Sequence, residues 1–335
     1  MKEVYPGIFL IAERGKFGAV KPTENIYVLA GNNGLIFDAG YGKKKDIKTF
    51  ITEFKEIQNF FEAQKKSFEI TRILPSHAHP DHFSGLKKLR KQLGVKIVLT
   101  KETSKRIRSK KEFIKHFEAD YKNDYFVPKV PLKAKIQSSL FKMLYRILYG
   151  MSFVKDPDII IVNEMSEILI NDEIWKIFPS PGHSSDHISL YNDKKGLLFS
   201  GDNIIDSITT WLGPPDSNVE DYVKSIQFIQ EKLPKLEMIF SAHGKAIINP
   251  RERIEEILNH RKERTQQILK IVKENAENGI TPNKVFRILY PGARNTFYQV
   301  AGGWICLTLK MLEEQKLITR EVREKFVLFY PINNE

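Results

Sequence analysis

The sequence predicts an α/β fold, a sandwich in which strand pairs mix with helices and the helices lie outside the sheets. Three observations carry this. Short apolar runs are bounded by turn residues, helical stretches stand between them, and the run Ser76-His77-Ala78-His79-Pro80-Asp81-His82 follows directly on one apolar run. That last feature puts a concentration of metal-binding side chains on the loop at a strand's end, where side chains converge.

The elements follow in chain order. Ile8–Ile11, Ile26–Ala30 and Leu35–Asp38 read as strands. A helical stretch from Lys45 to about Lys65 comes next, then the buried strand Ile70–Pro75 that leads into the histidine run. Ser84–Leu93 reads as a helix and Lys96–Leu99 as a strand. Later strands are Ile159–Val162, Ile174–Phe178, Ile188–Tyr191 and Gly196–Phe199. Residues 103–156 interrupt this rhythm as a helical insert, in which Lys135, Ser138, Lys142 and Arg146 form a narrow polar stripe. The wide apolar face left over has to cover something: the scaffold, a second subunit in a homodimer, an acyl chain or a membrane surface. A lid over the site is the functional use of the same face. From Pro250 a charged helix runs to about Glu277, and Thr281-Pro282 opens a second, capped helix. A third runs from about Phe297 to Gln315, and Leu317–Arg320 with Lys325–Tyr330 reads as a hairpin. Helix, helix, two strands is the order of a winged helix, so the chain is expected to divide into a catalytic unit, 1–250, and a winged-helix-like unit, 251–335.

Composition narrows the function. With 335 residues, 41% of them hydrophobic, the chain can bury one large core plus a smaller unit. The single cysteine, Cys306, excludes an internal disulfide framework and a cysteine-based zinc ribbon. The opening Met1–Pro6 lacks the pattern of a secretory signal, and no window reaches the roughly 18 apolar residues of a membrane-spanning helix. A cytoplasmic protein is the expectation. The net charge of +12 is concentrated in residues 101–155, which hold 14 basic and 5 acidic side chains. Such a segment suits an anionic partner. Residues 156–335 carry 22 basic and 26 acidic side chains, and Trp304, Ile305, Leu307 and Leu309 make the third C-terminal helix apolar. Both features argue against stable DNA binding.

The order His-x-His-x-Asp-His places four metal-binding residues within six positions. Neutral imidazoles and a carboxylate suit zinc, and iron or manganese is accepted by the same donors. A spacing of two puts His77 and His79 on one side of an extended segment and leaves Asp81 and His82 to turn elsewhere. One ion does not comfortably take all four, so two ions side by side are expected. Three later sites share a context, a strand followed by a small-residue turn and one ligand: Ser180-Pro181-Gly182-His183, Phe199-Ser200-Gly201-Asp202 and Phe240-Ser241-Ala242-His243-Gly244. Five of the eight histidines fall in these four places, which sets them apart from scattered core histidines.

Taken together, these motifs resemble the metallo-β-lactamase-fold hydrolases, in their glyoxalase-II-like metal pattern. The opening Asn25-Ile26-Tyr27-Val28 and Leu35-Ile36-Phe37-Asp38-Ala39-Gly40 is similar too, and the likeness runs from residue 1 to about 250. Ser180 to Asp202, with His260-Arg261 and Gln266–Leu269, resembles a lactamase-beta-like branch that carries a C-terminal winged helix and includes endoribonucleases and acyl-thioester hydrolases. The insert at 103–156 departs from that branch's usual pattern. The resemblance implies a four-layer αβ/βα sandwich in which His77, His79 and His183 hold one ion, Asp81, His82 and His243 hold the second, and Asp202 bridges the two. It also implies that Asp38 fixes the orientation of an imidazole. His187, four residues after His183, is read as a supporting or proton-carrying group.

The chemistry expected is hydrolysis, with two cations lowering the pKa of a shared water to give a bridging hydroxide, and with Asp81 and Asp202 as the catalytic carboxylates. The leading substrate is a small anionic ester or thioester of the acyl-CoA kind, because the basic insert would meet phosphates while its apolar face covers an acyl chain. The alternative is an endoribonuclease acting on single-stranded RNA; the sequence has no clear stacking platform for it, and Tyr121, Tyr125 and Phe126 are the candidates. A non-catalytic DNA-binding regulator with structural metals is the third reading, and an oxygen-reducing di-iron protein the fourth. His79 stands against the latter, where that family usually has a glutamate.

Overall fold

The computed structural model describes the chain except residues 14–21, 119–143, 145, 163–164, 207–208, 214–215, 294, 324–325 and 333–335. The polar stripe of the insert at Lys135, Ser138 and Lys142, and the aromatic set Tyr121, Tyr125 and Phe126, lie outside the described residues.

Two sheets face each other. The first is seven-stranded, in chain order: β1 (Lys2–Tyr5), β2 (Ile8–Glu13), β3 (Glu24–Leu29), β4 (Gly34–Phe37), β5 (Ile70–Leu74), β6 (Lys96–Thr100) and β7 (Ile159–Ile161). It starts as an antiparallel meander and turns parallel from β4 onward. Parallel neighbours need crossovers, and helices supply them: α1 (Lys44–Ala63), then the single turn α2 (Pro80–Phe83) with α3 (Leu86–Leu93), then α4 (Lys101–Ile107) and α5 (Lys110–Glu118). The second sheet has the spatial order β12-β11-β10-β9-β8, with β8 (Ser166–Ile170), β9 (Glu173–Pro179), β10 (Ile188–Asn192), β11 (Leu197–Gly201) and β12 (Met238–Ser241). Only β11 and β12 run parallel, joined through α6 (Val219–Lys232).

Side-chain alternation along the strands creates the layers. In β3, Ile26 and Val28 point to the outer helix α1, whose Phe50, Phe54, Ile57 and Phe61 recur at the spacing of one helical face. Tyr27 and Leu29 point the other way, onto the second sheet. In β11, Leu197 and Phe199 join that same inter-sheet core, while Leu198 faces α6 and α7 (Pro250–Glu274) through Tyr222, Ile226, Ile254 and Ile257. The result is helix, sheet, sheet, helix. At its centre Phe199 is wholly buried, stacked on Phe240 at 4.9 Å and edge-on to Tyr27 at 5.1 Å. Burying each such ring stabilises the fold by roughly 1.5–3 kcal/mol.

The C-terminal half of α7 leaves that core for another. Ile268, Ile271 and Val272 pack with α8 (Pro282–Leu289), α9 (Asn295–Glu314) and the hairpin β13 (Ile318–Arg323) and β14 (Phe326–Pro331). Thr281 caps α8 by accepting from the backbone N–H of Lys284, with Pro282 in the first turn.

Several boundaries differ from the sequence reading. Asp81 and His82 sit in a helical turn, because Pro80 is preset for a first helical position and His79 is extended ahead of it. The helix expected from Ser84 begins only at Leu86. Strands β1 and β8 and helix α6 are further elements. Within the segment read as an insert, Ile107, Phe113, Tyr149 and Val154 are buried, so parts of it pack on the scaffold, whereas Leu144 and Ile147 are exposed.

Candidate metal centre

All the predicted ligands meet at one edge of the two sheets. β5 ends at Leu74 just before Ser76 and His77, β9 just before His183, β11 at Gly201 just before Asp202, and β12 at Ser241 just before His243. Asp38 follows the end of β4 with φ of +66°, a left-handed conformation that aspartate tolerates better than most side chains. Strands running the other way contribute their first residues to the same edge. His187 precedes β10, and Glu24 begins β3.

The side chains divide into two donor groups, His77, His79, His183 and Asp202 in one, Asp81, His82, His243 and Glu24 in the other. Asp202 faces both. Its Oδ2 is 3.2 Å from His183 Nε2, and its Oδ1 is 3.3 Å from His243 Nε2 and 3.5 Å from His82 Nε2. Asp81 reaches the second group only, at 3.8 Å from His82 Nε2 and 3.9 Å from His243 Nε2. The far ring nitrogens are held by the protein. His183 Nδ1 bonds the carbonyl of Trp211 at 2.8 Å, His243 Nδ1 the carbonyl of Thr23 at 2.6 Å, and His77 Nδ1 contacts Ser76 Oγ at 3.0 Å. Contacts of this kind fix the tautomer and turn the other nitrogen toward an ion. Among the described residues, His77 Nε2 and His82 Nε2 are buried without a hydrogen-bond partner. Buried polar atoms rarely stay unmade, so divalent cations fit this donor set.

The two groups differ in protonation. Burial pushes His79 and His183 down to about 4, and burial with neighbouring imidazoles holds His77 well below its ordinary value. These rings are neutral and ready to ligate at neutral pH. For His82 burial acts downward too, but the carboxylates of Glu24, Asp38, Asp202 and Asp81 outweigh it and hold the ring well above the usual range. His243 is raised in the same way by Asp202, Glu24 and Asp81. Asp202 is held well below the carboxylate range, since His243, His82 and His183 overcome its burial.

Asp38 lies where an imidazole-orienting group belongs. Its Oδ2 is 3.2 Å from His82 Nδ1, and its Oδ1 accepts from the backbone N–H of Ser76 at 2.7 Å. His187 lies behind the ligands. Its Nε2 accepts from the backbone N–H of Asp202 at 3.2 Å and its Nδ1 contacts Ser180 Oγ at 2.9 Å, so it fixes the main chain of Asp202. Burial holds it well below its ordinary value, as an acceptor nitrogen requires. Gly201 has φ of +50°, and a Cβ there would lie 2.4 Å from His187 Nε2 and 3.0 Å from Ser76 Cβ. Gly201→Ala is therefore expected to lower the unfolding free energy by about 2–3 kcal/mol, read from urea denaturation, and to cost on the order of 10²-fold in kcat by displacing Asp202.

Sequence reasoning missed three features. Glu24, wholly buried, has Oε1 at 3.3 Å from His82 Nδ1 and Oε2 at 3.4 Å from His243 Nδ1. Arg106 of α4 pairs with Asp216 at 2.5 Å and Asp186 at 3.3 Å, bracing the loop that carries His183. Arg261 of α7, also buried, donates to the carbonyl of Thr210 at 2.9 Å, next to the Trp211 carbonyl that holds His183. Beyond His243, Arg251 donates to the Leu233 carbonyl at 2.8 Å and Lys245 is exposed.

A four-layer sandwich that gathers these imidazoles and carboxylates at one sheet edge defines a metal-dependent hydrolase. A family model described as the Metallo-beta-lactamase superfamily matches residues 22–243, and the chain belongs to that superfamily. The Beta-lactamase-like protein 2 homolog of Drosophila melanogaster is 25% identical over 310 residues, spanning 92% of this chain and 88% of that protein. The Acyl-coenzyme A thioesterase MBLAC2 of Gallus gallus is 35% identical over 86 residues, 25% of this chain and 30% of that protein. Among solved structures, a metallo-beta-lactamase family protein from Thermus thermophilus superposes with a TM-score of 0.74 at 17% identity, covering 98% of this chain and all of that one. No helix of the described residues is long and apolar enough to cross a membrane.

Proposed function

We propose that the chain is a two-metal hydrolase of anionic esters or thioesters of the acyl-CoA kind, with a catalytic unit at 1–250 and a winged-helix-like unit at 251–335. The observation that carries this reading is Asp202, whose two oxygens face two separate donor groups. His77, His79 and His183 would hold one divalent ion, Asp81, His82 and His243 the other, with Asp202 between them. Zinc is the first choice, and iron and manganese suit the same donors. When bound, the pair of ions supplies a polarised scissile carbonyl and a water acidic enough to attack at neutral pH.

The chain's own groups do the rest. Asp81 orients the attacking water and accepts its proton, its carboxylate facing the Nε2 atoms of His82 and His243 at 3.8 and 3.9 Å. His187 and Asp38 keep Asp202 and His82 in register. The indole of Trp211, 44% exposed with its centroid 6.5 Å from that of His183, offers an apolar wall for an acyl chain. The thioesterase named among the relatives and the basic segment 101–155 support an acyl-CoA-like substrate. Hydrolysis of a series of acyl-CoAs and aryl esters, run beside single-stranded RNA, tests the assignment. Thioester turnover that disappears with chelator is expected. Ester and thioester rates equal to the metal-free blank, with RNA cleaved, would transfer the site to the endoribonuclease reading.

A further inference from the structure

We propose that Glu24 is a positioning residue that locks the imidazoles of His82 and His243 together from behind, and that it is not itself a metal ligand. The inference rests on the two-metal reading and adds to it a residue that the motifs do not contain. The argument is one of sides. His82 turns Nε2 toward Asp202 at 3.5 Å and Asp81 at 3.8 Å, and His243 turns Nε2 toward Asp202 at 3.3 Å and Asp81 at 3.9 Å. An ion held by these four residues has to sit on the Nε2 side of both rings. Glu24 approaches both from the Nδ1 side, Oε1 at 3.3 Å from His82 and Oε2 at 3.4 Å from His243. The lone-pair directions of an imidazole's two nitrogens diverge, so a carboxylate on one face of this pair does not complete a coordination sphere on the other.

What it does instead follows from burial. Glu24 is 0% exposed, and among the described residues neither of its oxygens has a hydrogen-bond partner. Burial pushes the Glu24 carboxyl well above its ordinary range, and His82 and His243 pull against that; its charge is favoured only where N–H groups face it, and the two Nδ1 atoms are the groups that do. One carboxylate spanning two rings requires a proton on each Nδ1 and so leaves each Nε2 free to ligate. Asp38 supports His82 alone, at 3.2 Å, and Thr23's carbonyl supports His243 alone, at 2.6 Å. Glu24 makes the two orientations depend on each other. Its place arises from topology, since β3 runs antiparallel to β4 and its first residue falls at the edge where β4 ends.

The test uses the full chain, stripped of metal and titrated with zinc by calorimetry, for the wild type, Glu24→Gln and Glu24→Asp. The wild type is expected to take up two equivalents. Glu24→Gln keeps the shape but presents an amide NH₂ to one ring, and should weaken one equivalent 10–100-fold while the other is unchanged; Glu24→Asp should restore part of the loss. Ring-nitrogen NMR of the zinc-loaded protein should find His82 and His243 both protonated at Nδ1 in the wild type, and one of them altered in Glu24→Gln. Unchanged affinities and tautomers would overturn the proposal. So would equal weakening of both equivalents, which marks general disruption, or loss of one equivalent in both variants, which marks a ligand. A wild type that binds fewer than two equivalents would instead remove the two-metal reading beneath it.

Discussion

Replacing Asp202 by alanine is expected to lower kcat/KM by on the order of 10³-fold or more, the largest effect of any single substitution in this chain. The reasoning is geometrical. Other ligands serve one donor group, whereas the oxygens of Asp202 serve both, at 3.2 Å from His183 and at 3.3 and 3.5 Å from His243 and His82. On the two-metal reading its removal takes a ligand from each ion, and it leaves the second group with only Asp81 facing the Nε2 atoms of His82 and His243. On the proposed reading Asp202 touches both ions, so the loss should fall on kcat and appear with every substrate tried. Asp202→Asn keeps one oxygen and the volume but loses the charge, and should recover only a small part. A variant within tenfold of wild type would show that Asp202 does not stand between two ions.

The second large effect is on stability without metal. The metal-free protein should lose stability steeply between about pH 6.5 and 4. His79 and His183 are largely buried, and burial depresses both to about 4, against about 6.5 in an unfolded chain. A depressed imidazole contributes stability above the unfolded value, and the contribution is lost as pH falls toward the folded value. Each ring accounts for on the order of 3 kcal/mol over that window. His82 and His243 act in the opposite sense. Their folded values are raised, so what they contribute is complete below about 6.5 and is lost as pH climbs through those values. Acid therefore destabilises through the first group, over a window in which the second group's contribution is already complete and constant. Metal changes this balance, since ligation requires neutral rings and so expels the protons of His82 and His243. Free ion at 100 times its dissociation constant adds about 2.7 kcal/mol per site. Thermal melts of the stripped and loaded protein from pH 7 to pH 4 check both points. A stripped protein with a flat profile across that range would contradict the buried, neutral first group.

Much of this centre was legible in the chain, for a physical reason. Ligands that sit at strand ends leave a local signature, an apolar run, a small-residue turn and one donor, and all seven predicted ligands meet at the edge those runs define. Asp38 follows the apolar run Leu35–Phe37 and shares that signature, whereas His187, which precedes a strand, was legible only from its place four residues after His183. Glu24 was not, because it stands at a strand's beginning, where a carboxylate normally reads as a solvated strand end; its one signal is its place directly before the apolar run from Asn25. Arg106 and Asp216 pair across 110 positions, and no spacing rule reaches that far. Helix α6 is missing from the sequence reading, although Val219, Tyr222, Ile226 and Ile229 share one face and Asn218 caps it, accepting from the N–H of Asp221. Strand β8 hides its face, because Leu169 is exposed while Ile170 beside it is buried.

The central claim is that Asp202 lies between two ions held by two sets of side chains. Crystals of the zinc-loaded protein, with diffraction recorded on both sides of the zinc absorption edge, address it most directly. Two anomalous peaks about 3.5–4 Å apart are predicted, one within ligand distance of His77, His79 and His183, the other of Asp81, His82 and His243, each also touching an oxygen of Asp202. A single peak, or two peaks with Asp202 bound to only one, would contradict the account.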